Sequence, residues 1–413
     1  MATNMEYDDY EYDDGLTTDI KGNASLDSLD SSWSSYSFSY IFDDCAELTV
    51  EKARSLIETH ALLYSQTAKV YIGFFLPFLL CVGVIGNLIF LHVIRSMPYM
   101  RTATNWILAN LAVADLIFLS FGIGDKLWMY HHSPFINDRF SFGEFGCPII
   151  FTFIDASYFA AICMVTLVSV ERYYAVCRSH SARTNTLRSM FIALVVLSWI
   201  VSIGIAASFV PASSSMYVGC HVWPDVEPYK NLSMNIGLCA PADGLEIYPL
   251  YVNIARTVPF LLLITLNIWL YACIVRGMTR AVRHTRIVGR ADTNLKQRNQ
   301  ITGMLVVNGL IFFICLVPFE IFSILQAVNL IRDGDEPLFS KRVTVPLRYV
   351  AQAMSYINSV VNPVIYIAMS RRYRDAFKDS LLCRATETQT TSFATSTTAI
   401  PIGHSYKPVD TKL

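Results

Sequence analysis

Apolar residues in this chain gather into seven long stretches, at about 68–95, 103–130, 144–177, 188–211, 247–276, 298–330 and 343–369. Each is long enough for the roughly 20 residues that a helix needs to cross a bilayer. The pattern predicts an all-α membrane protein built as a seven-transmembrane-helix bundle. A shorter element follows. From Arg371 to Leu382, basic and apolar residues alternate at helical spacing, with Tyr373, Ala376, Phe377 and Leu381 apolar. That spacing predicts a short amphipathic eighth helix lying in the headgroup plane. The expected organisation is an acidic extracellular tail over 1–67, the bundle over 68–370, the surface helix over 371–383 and a disordered cytoplasmic tail over 384–413.

Composition agrees and adds an orientation. Of the 413 residues, 53% are hydrophobic and only 16% charged, against about a quarter charged in soluble proteins. The net charge of −1 hides a segregation. Arg95 and Arg101, then Arg178, Arg183 and Arg188, then Arg276 to Arg298, and finally Arg371, Arg372, Arg374 and Lys378 all fall on one side. By the positive-inside rule that side is cytoplasmic. The glycosylation acceptors Asn23 and Asn231 then fall outside. Both signals predict a multi-pass plasma-membrane protein with an extracellular amino terminus. Met1 to Asp14 lacks the form of a cleavable signal, so the first apolar stretch is expected to direct insertion itself.

Polar residues inside the stretches carry the next information. Charges and helix breakers are expensive at membrane depth, so they point to function rather than packing. In chain order, Gly86-Asn87, Leu111-Ala112-Val113-Ala114-Asp115, Cys147, Glu171-Arg172-Tyr173, Trp199, Pro259, Cys315 with Pro318, and Asn362-Pro363-Val364-Ile365-Tyr366 are present. Their order and spacing resemble rhodopsin-like (class A) G-protein-coupled receptors over about 69–383. Met100-Arg101-Thr102-Ala103-Thr104-Asn105 and Asn362 to Tyr366, with Met369-Ser370 and Arg374, are similar to neuropeptide receptors near the thyrotropin-releasing-hormone and neuromedin U group. Kisspeptin and galanin receptors share some of these features.

The resemblance implies binding of an extracellular neuropeptide and activation of a heterotrimeric G protein, with Gq favoured. It implies that Arg172 pairs with Glu171 at rest and releases to meet the G protein. The sixth-helix acid that locks this arginine in some relatives is missing, because Arg298 occupies that region. Thr302, one turn inward, is the expected substitute in a soft lock. A lone carboxylate at the depth of Asp115 must find cations or hydrogen bonds, or take up a proton. The resemblance implies a water and sodium cluster of Asp115 with Asn87, Asn358, Ser359 and Asn362, from which Ala161 withholds the usual third-helix hydroxyl. Pro259, Ile162 and Phe312 match the family's packing switch, with ordinary core packing as the alternative. Pro318 is expected to kink the sixth helix. Leu316, Asn267 and Asn308 depart from the family pattern. The two asparagines are expected to hydrogen-bond across helices, for about 0.6 to 2 kcal/mol.

Four cysteines lie outside, Cys45, Cys147, Cys220 and Cys239, and four in an oxidising compartment allow three pairings. The resemblance pairs Cys147 with a second-loop cysteine. Cys239 is favoured as the one nearer the fifth helix, which leaves Cys45 with Cys220. Cys81, Cys163, Cys177, Cys273 and Cys315 are expected as packed or interfacial thiols. Cys383 stands where palmitoylation would anchor the surface helix to membrane lipid.

The amine-receptor carboxylate would fall at Ile154 and the opsin lysine at Tyr356, which disfavours monoamines and retinal. Asp155 is turned about 100° around the helix from that carboxylate position. A mixed, bulky rim remains: Asp125, Lys126 and Trp128, Asp155 and Tyr158, Tyr248 and Tyr251, Glu320 and Gln326, Arg348 and Gln352. Such a rim suits a peptide with a polar terminus. Arg348 would meet a carboxylate or amide carbonyl and Glu320 a basic side chain, unless these residues pair with one another. Residues 212–246 resemble the β-hairpin that covers peptide-receptor pockets. Tyr7, Tyr10 and Tyr12 resemble a tyrosine-sulfation site that attracts a basic ligand, a solvated tail being the alternative.

On the inner side, the basic third loop is expected to face the G protein. Hydroxyls from Thr386 to Thr398 offer phosphorylation sites for arrestin recruitment, and Thr411-Lys412-Leu413 fits capture by a PDZ domain. No cofactor, covalent chemistry or nucleic-acid partner is expected. The rival readings are a class A receptor for a lipid or other small molecule, and a transporter. Against the transporter, the chain has no repeat symmetry and no discontinuous helix pair.

Overall fold

The computed structural model describes residues 63–177, 184–220, 235–242, 244–245, 247–288, 293–332, 339 and 341–382. Each predicted crossing is a helix: α1 (Gln66–Ser96), α2 (Ala103–His132), α3 (Gly143–Cys177), α4 (Thr184–Ser208), α5 (Tyr248–Val288), α6 (Thr293–Arg332) and α7 (Lys341–Met369). The amphipathic segment is α8 (Arg371–Leu381). Side-chain caps start two of them: the Ser65 hydroxyl accepts from the Ala68 amide at 3.2 Å and that of Thr102 from Asn105 at 3.3 Å. A π-helical turn at Tyr71–Phe75 interrupts α1, and hydropathy carries no sign of it.

The largest departure in length lies in α5 and α6. Their 41 and 40 residues span about 60 Å at 1.5 Å per residue, twice the hydrocarbon thickness. Hydropathy reports only the part in lipid. The basic turns around Arg276, Arg280 and Arg283 simply continue the helix. Pro259, Pro318 and Pro363 sit inside helices without ending them, as neighbouring helices allow in a bundle.

The arrangement is apolar outside and polar within. Phe74, Ile200, Leu262 and Ile314 face outward and exposed, while Asn87, Asp115, Asn358 and Asn362 are buried. Among the described residues, six helices, α1 to α6, are long and apolar enough to span a membrane. The seventh, α7, carries Arg348, Gln352, Ser355, Asn358, Ser359 and Asn362, most of them buried inside the bundle. That polar load lowers its hydropathy without changing its place.

The surface helix docks through aromatic packing. Phe90 lies 5.0 Å from Tyr366 and 6.4 Å from Phe377, and Tyr366 lies 5.6 Å from Tyr373. The Tyr373 hydroxyl donates to Asn105 Oδ1, whose amide donates to the Met100 carbonyl at 2.6 Å. Burial raises the Tyr373 phenol above its ordinary range and keeps it a donor.

Outside, β1 (Ser215–Cys220) and β2 (Asn235–Ala240) form an antiparallel hairpin with Ser215 opposite Ala240 and Cys220 opposite Asn235. Cys147 and Cys239 are joined, with Cα atoms 5.6 Å apart, tying β2 to the first turns of α3. Cys45, Asn23, Asn231, Cys383, the tyrosines at 7, 10 and 12, and the side chain of Cys220 lie outside the described residues.

Candidate functional site

Under the hairpin, the outer helix ends enclose a cavity of about 1120 Å³, counting space open to solvent. Its wall is assembled from loop and helix together. Asp138 Oδ1 accepts from the Gly237 and Phe140 amides, both at 2.9 Å, and the Arg139 amide donates to the Gly237 carbonyl at 2.8 Å. Gly237 is needed there because a Cβ would stand 2.5 Å from Phe140 Cα. This clasp turns the Arg139 side chain inward, where Nη2 donates to Asp125 at 2.8 Å. Lys126 Nζ lies 3.3 Å from the same carboxylate oxygen. Tyr64, its phenol raised by burial, also lines the wall.

A deeper cavity of about 570 Å³ continues inward between Asp125, Asp155, Tyr158 and Gln352. Arg256 Nη2 donates to Asp155 at 2.6 Å, joining α5 to α3. The Tyr158 hydroxyl donates to Glu320, joining α3 to α6. A side cavity of about 320 Å³ is lined by Asn253, Ser323, Gln326 and Arg348.

Of the rim residues expected from sequence, Asp125, Lys126, Asp155, Tyr158, Gln326, Arg348 and Gln352 line these cavities. Glu320 sits behind the wall, hydrogen-bonded to Tyr158 rather than presented to a basic ligand group. Trp128, Tyr248 and Tyr251 do not line these three cavities. The Trp128 indole stacks on His132 at 4.0 Å and donates to Ser141 at 3.0 Å, outside the cavities. Tyr251 is 41% exposed, with its hydroxyl 2.9 Å from Ser208, and Tyr248 packs 5.9 Å from it. Arg139 and Arg256 were missed. One lies in a loop and the other interrupts an apolar run, although an arginine inside a crossing is a signal by itself.

At the opposite end, Arg172 is held twice. It donates to Glu171 through Nε at 2.5 Å and Nη2 at 2.6 Å, and also to the Thr104 hydroxyl, which donates to Glu171 at 3.1 Å. The expected substitute does not form: Thr302 Oγ1 is buried without a partner among the described residues. The lock is to α2, not α6. The expected Asn267–Asn308 bond is also absent. Asn267 Nδ2 donates to Thr166 on α3 at 2.9 Å and to the Leu263 carbonyl at 2.8 Å, so its donors are already taken. One turn on, the Ser169 hydroxyl donates to Tyr271 Oη at 3.1 Å, and Tyr271 fills the notch left by Gly309 on α6.

Between the ends lies the polar core. Asn362 Nδ2 donates to Asp115 Oδ2 at 2.8 Å, and Asn87 Nδ2 donates to the carbonyls of Gly83 and Ser359 at 2.9 and 3.0 Å. Asp115 Oδ1, Asn87 Oδ1 and Asn358 Oδ1 are buried without partners among the described residues. These oxygens are the donor type that hard cations take, though Ala161 adds none from α3. Ile162 and Phe312 are both buried in the main core cluster, which also holds Phe260.

The family described as "7 transmembrane receptor (rhodopsin family)" matches residues 86–366. The chain belongs to that family. It is a family of receptors, not enzymes. Neuromedin-U receptor 2 of Homo sapiens is 28% identical over 314 residues, covering 74% of this chain and 72% of that protein. The Allatostatin-A receptor of Bombyx mori is 25% identical over 329 residues, covering 79% and 83%. Galanin receptor 2b of Danio rerio is 26% identical over 330 residues, covering 76% of each.

Two expectations concern the receptor's resting state. Thr104→Val removes a hydroxyl that serves both Arg172 and Glu171. Losing about 1 kcal/mol from the lock is expected to raise agonist-free G-protein activation several-fold in receptor-matched membranes. Gly309→Ala places a methyl group where the Tyr271 ring now sits, so Tyr271 must leave Ser169 or α6 must part from α5. Basal activation rises here too, and adding Tyr271→Ala, which empties the notch, is expected to abolish the effect of the alanine.

Proposed function

We propose that this receptor binds an extracellular neuropeptide in the outer cavity and activates a heterotrimeric G protein, Gq being favoured, at the plasma membrane. The amino terminus lies outside. One observation carries the reading: a single helix, α3, bears Asp155 and Tyr158 in the cavity wall and Glu171 and Arg172 at the inner end. Those groups stand about 26 Å apart at helical rise. A ligand that favours one arrangement of the Asp155–Arg256 and Tyr158–Glu320 contacts therefore biases α3 against α5 and α6. Only a difference in affinity between two arrangements shifts their populations. The cavity's size and mixed charge suit a peptide, and relatives named for neuromedin U, allatostatin A and galanin support that class.

The remaining roles follow from position. Asp115, with Asn87, Asn358, Ser359 and Asn362, would hold water or sodium as a weight on the resting state. Asn23 and Asn231 would carry glycans, Cys383 a palmitoyl chain, and Thr386 to Thr398 phosphates that recruit arrestin. Thr411-Lys412-Leu413 would meet a PDZ domain, and Cys45 would join Cys220.

The test is expression in cells, challenge with a panel of amidated neuropeptides, and readout of calcium and cyclic AMP. One peptide is expected to raise calcium in wild type but not in Arg172→Gln at equal surface level. Activation by lipids alone, or electrogenic uptake of a substrate, would overturn the reading.

A further inference from the structure

The last four carbonyls of an α-helix have no partner within it. In α7 they belong to Tyr366, Ile367, Ala368 and Met369, and each is answered. The Ser370 amide donates to the Tyr366 carbonyl at 3.2 Å. Arg374 Nη1 of α8 donates to Ile367 and Ala368 at 3.0 and 2.9 Å, its charge lying at the negative end of the α7 dipole. The fourth carbonyl, Met369, accepts from Gln300 Nε2 at 3.0 Å. A carbonyl only accepts, so Gln300 must present its amide nitrogen there.

These donors differ in what they move with. Ser370 and Arg374 belong to the corner between α7 and α8, which the packing of Phe90 on Tyr366 and Tyr373 fastens to α1. Gln300 belongs to α6. Its bond joins the inner end of one helix to the fixed corner of another.

Other features of α6 leave that task to it. A Cβ on Gly303, one turn outward from Gln300, would meet nothing within 4 Å, whereas one on Gly309 would collide with the Tyr271 ring of α5. The grip at Gly309 thus lies about 13 Å along the helix from Gln300. Thr302, about 200° around the helix from Gln300, is buried with its hydroxyl unpartnered among the described residues. Arg172 is held by Glu171 and by Thr104 of α2.

We propose that Gln300 is the latch of α6: its amide holds the inner end of α6 to the carboxyl end of α7 at rest, and its release is part of opening the inner cleft. Gln300 is then a positioning residue for G-protein activation. This rests on the G-protein reading, but the latch itself belongs to the receptor alone and is measured without a G protein.

Gln300→Met keeps an unbranched side chain of similar helix propensity and removes the donor. Gln300→Lys keeps a donor of the kind that helix carboxyl ends accept. Lys296→Cys on α6 and Arg95→Cys on α1, both at exposed positions, carry nitroxide labels in a parent with Cys177, Cys273 and Cys383 each replaced by serine. Pulsed electron resonance reads the distance between them in nanodiscs, with singly labelled receptors as background.

Without ligand or G protein, Gln300→Met is expected to raise the share of the longer distance about threefold, as loss of one hydrogen bond would. Gln300→Lys should match the parent. Agonist-free GDP release per folded receptor is expected to rise by the same factor in Gln300→Met and to stay at the wild-type rate in Gln300→Lys. An unchanged distance distribution in Gln300→Met overturns the proposal, and so does an equal rise in Gln300→Lys. A lower melting temperature with unchanged release per receptor would mark a merely structural contact and overturn it too. If wild type activates no heterotrimer, the receptor reading fails while the distances still decide the latch.

Discussion

Replacing Asp155 with alanine is expected to cost about 3 to 5 kcal/mol of bundle stability, because Arg256 would remain buried without its carboxylate. Asp155 and Arg256 are 5% and 3% exposed and 2.6 Å apart. Phe319 and Phe209 lie 5.5 and 5.8 Å from the guanidinium. Aromatic faces attract a cation but do not replace an ionic partner. The check is thermal unfolding of detergent-solubilised receptor, with Asp155→Ala melting well below wild type. The double variant Asp155→Leu with Arg256→Met is expected to recover most of the loss, since apolar replacement of a buried pair is often neutral. Equal losses in the single and double variants would show that the ion pair does not set the cost.

Cys147→Ser has the second largest expected effect, about 2 to 5 kcal/mol, because the link closes a long stretch of chain. Cys147 and Cys239 are separated by 92 positions. The bond also holds β2 where Gly237 can clasp Asp138 and so direct Arg139 into the cavity. Loss of the link should therefore lower both surface expression and melting temperature. Reduction of wild type with dithiothreitol should reproduce the melting shift, whereas Cys81→Ser, at an exposed free thiol, should not. An unchanged melting curve in Cys147→Ser would show that the hairpin is held by other means.

The crossings were legible because lipid imposes one requirement on every residue of a span, and that requirement is written locally as apolarity. The Glu171–Arg172 pair was legible through the family resemblance, and as a pair of neighbours in the chain it needs no knowledge of the rest of the bundle. Partners on different helices were not legible. Arg172 takes Thr104 from α2 where Thr302 of α6 was expected, and Asn267 takes Thr166 where Asn308 was expected. Successive side chains step about 100° around a helix. Small differences in rotation and tilt thus decide which polar neighbour is reached, and packing of the whole bundle sets both. The cavity shows the same division. Asp125, Asp155, Arg348 and Gln352 stood out as polar groups near helix ends. Arg139 enters only because a strand carbonyl and a loop carboxylate fold back on each other. Trp128, Tyr248 and Tyr251 belong to helices that build the site but do not line its three cavities.

The most direct measurement is GDP release from purified heterotrimers mixed with receptor in lipid nanodiscs, for wild type, Thr104→Val and Arg172→Gln. An inner cleft that opens and closes beside Arg172 requires Thr104→Val to accelerate release beyond wild type, and Arg172→Gln to match empty discs. Indistinguishable rates for all three receptors and empty discs, with every class of heterotrimer, would contradict it.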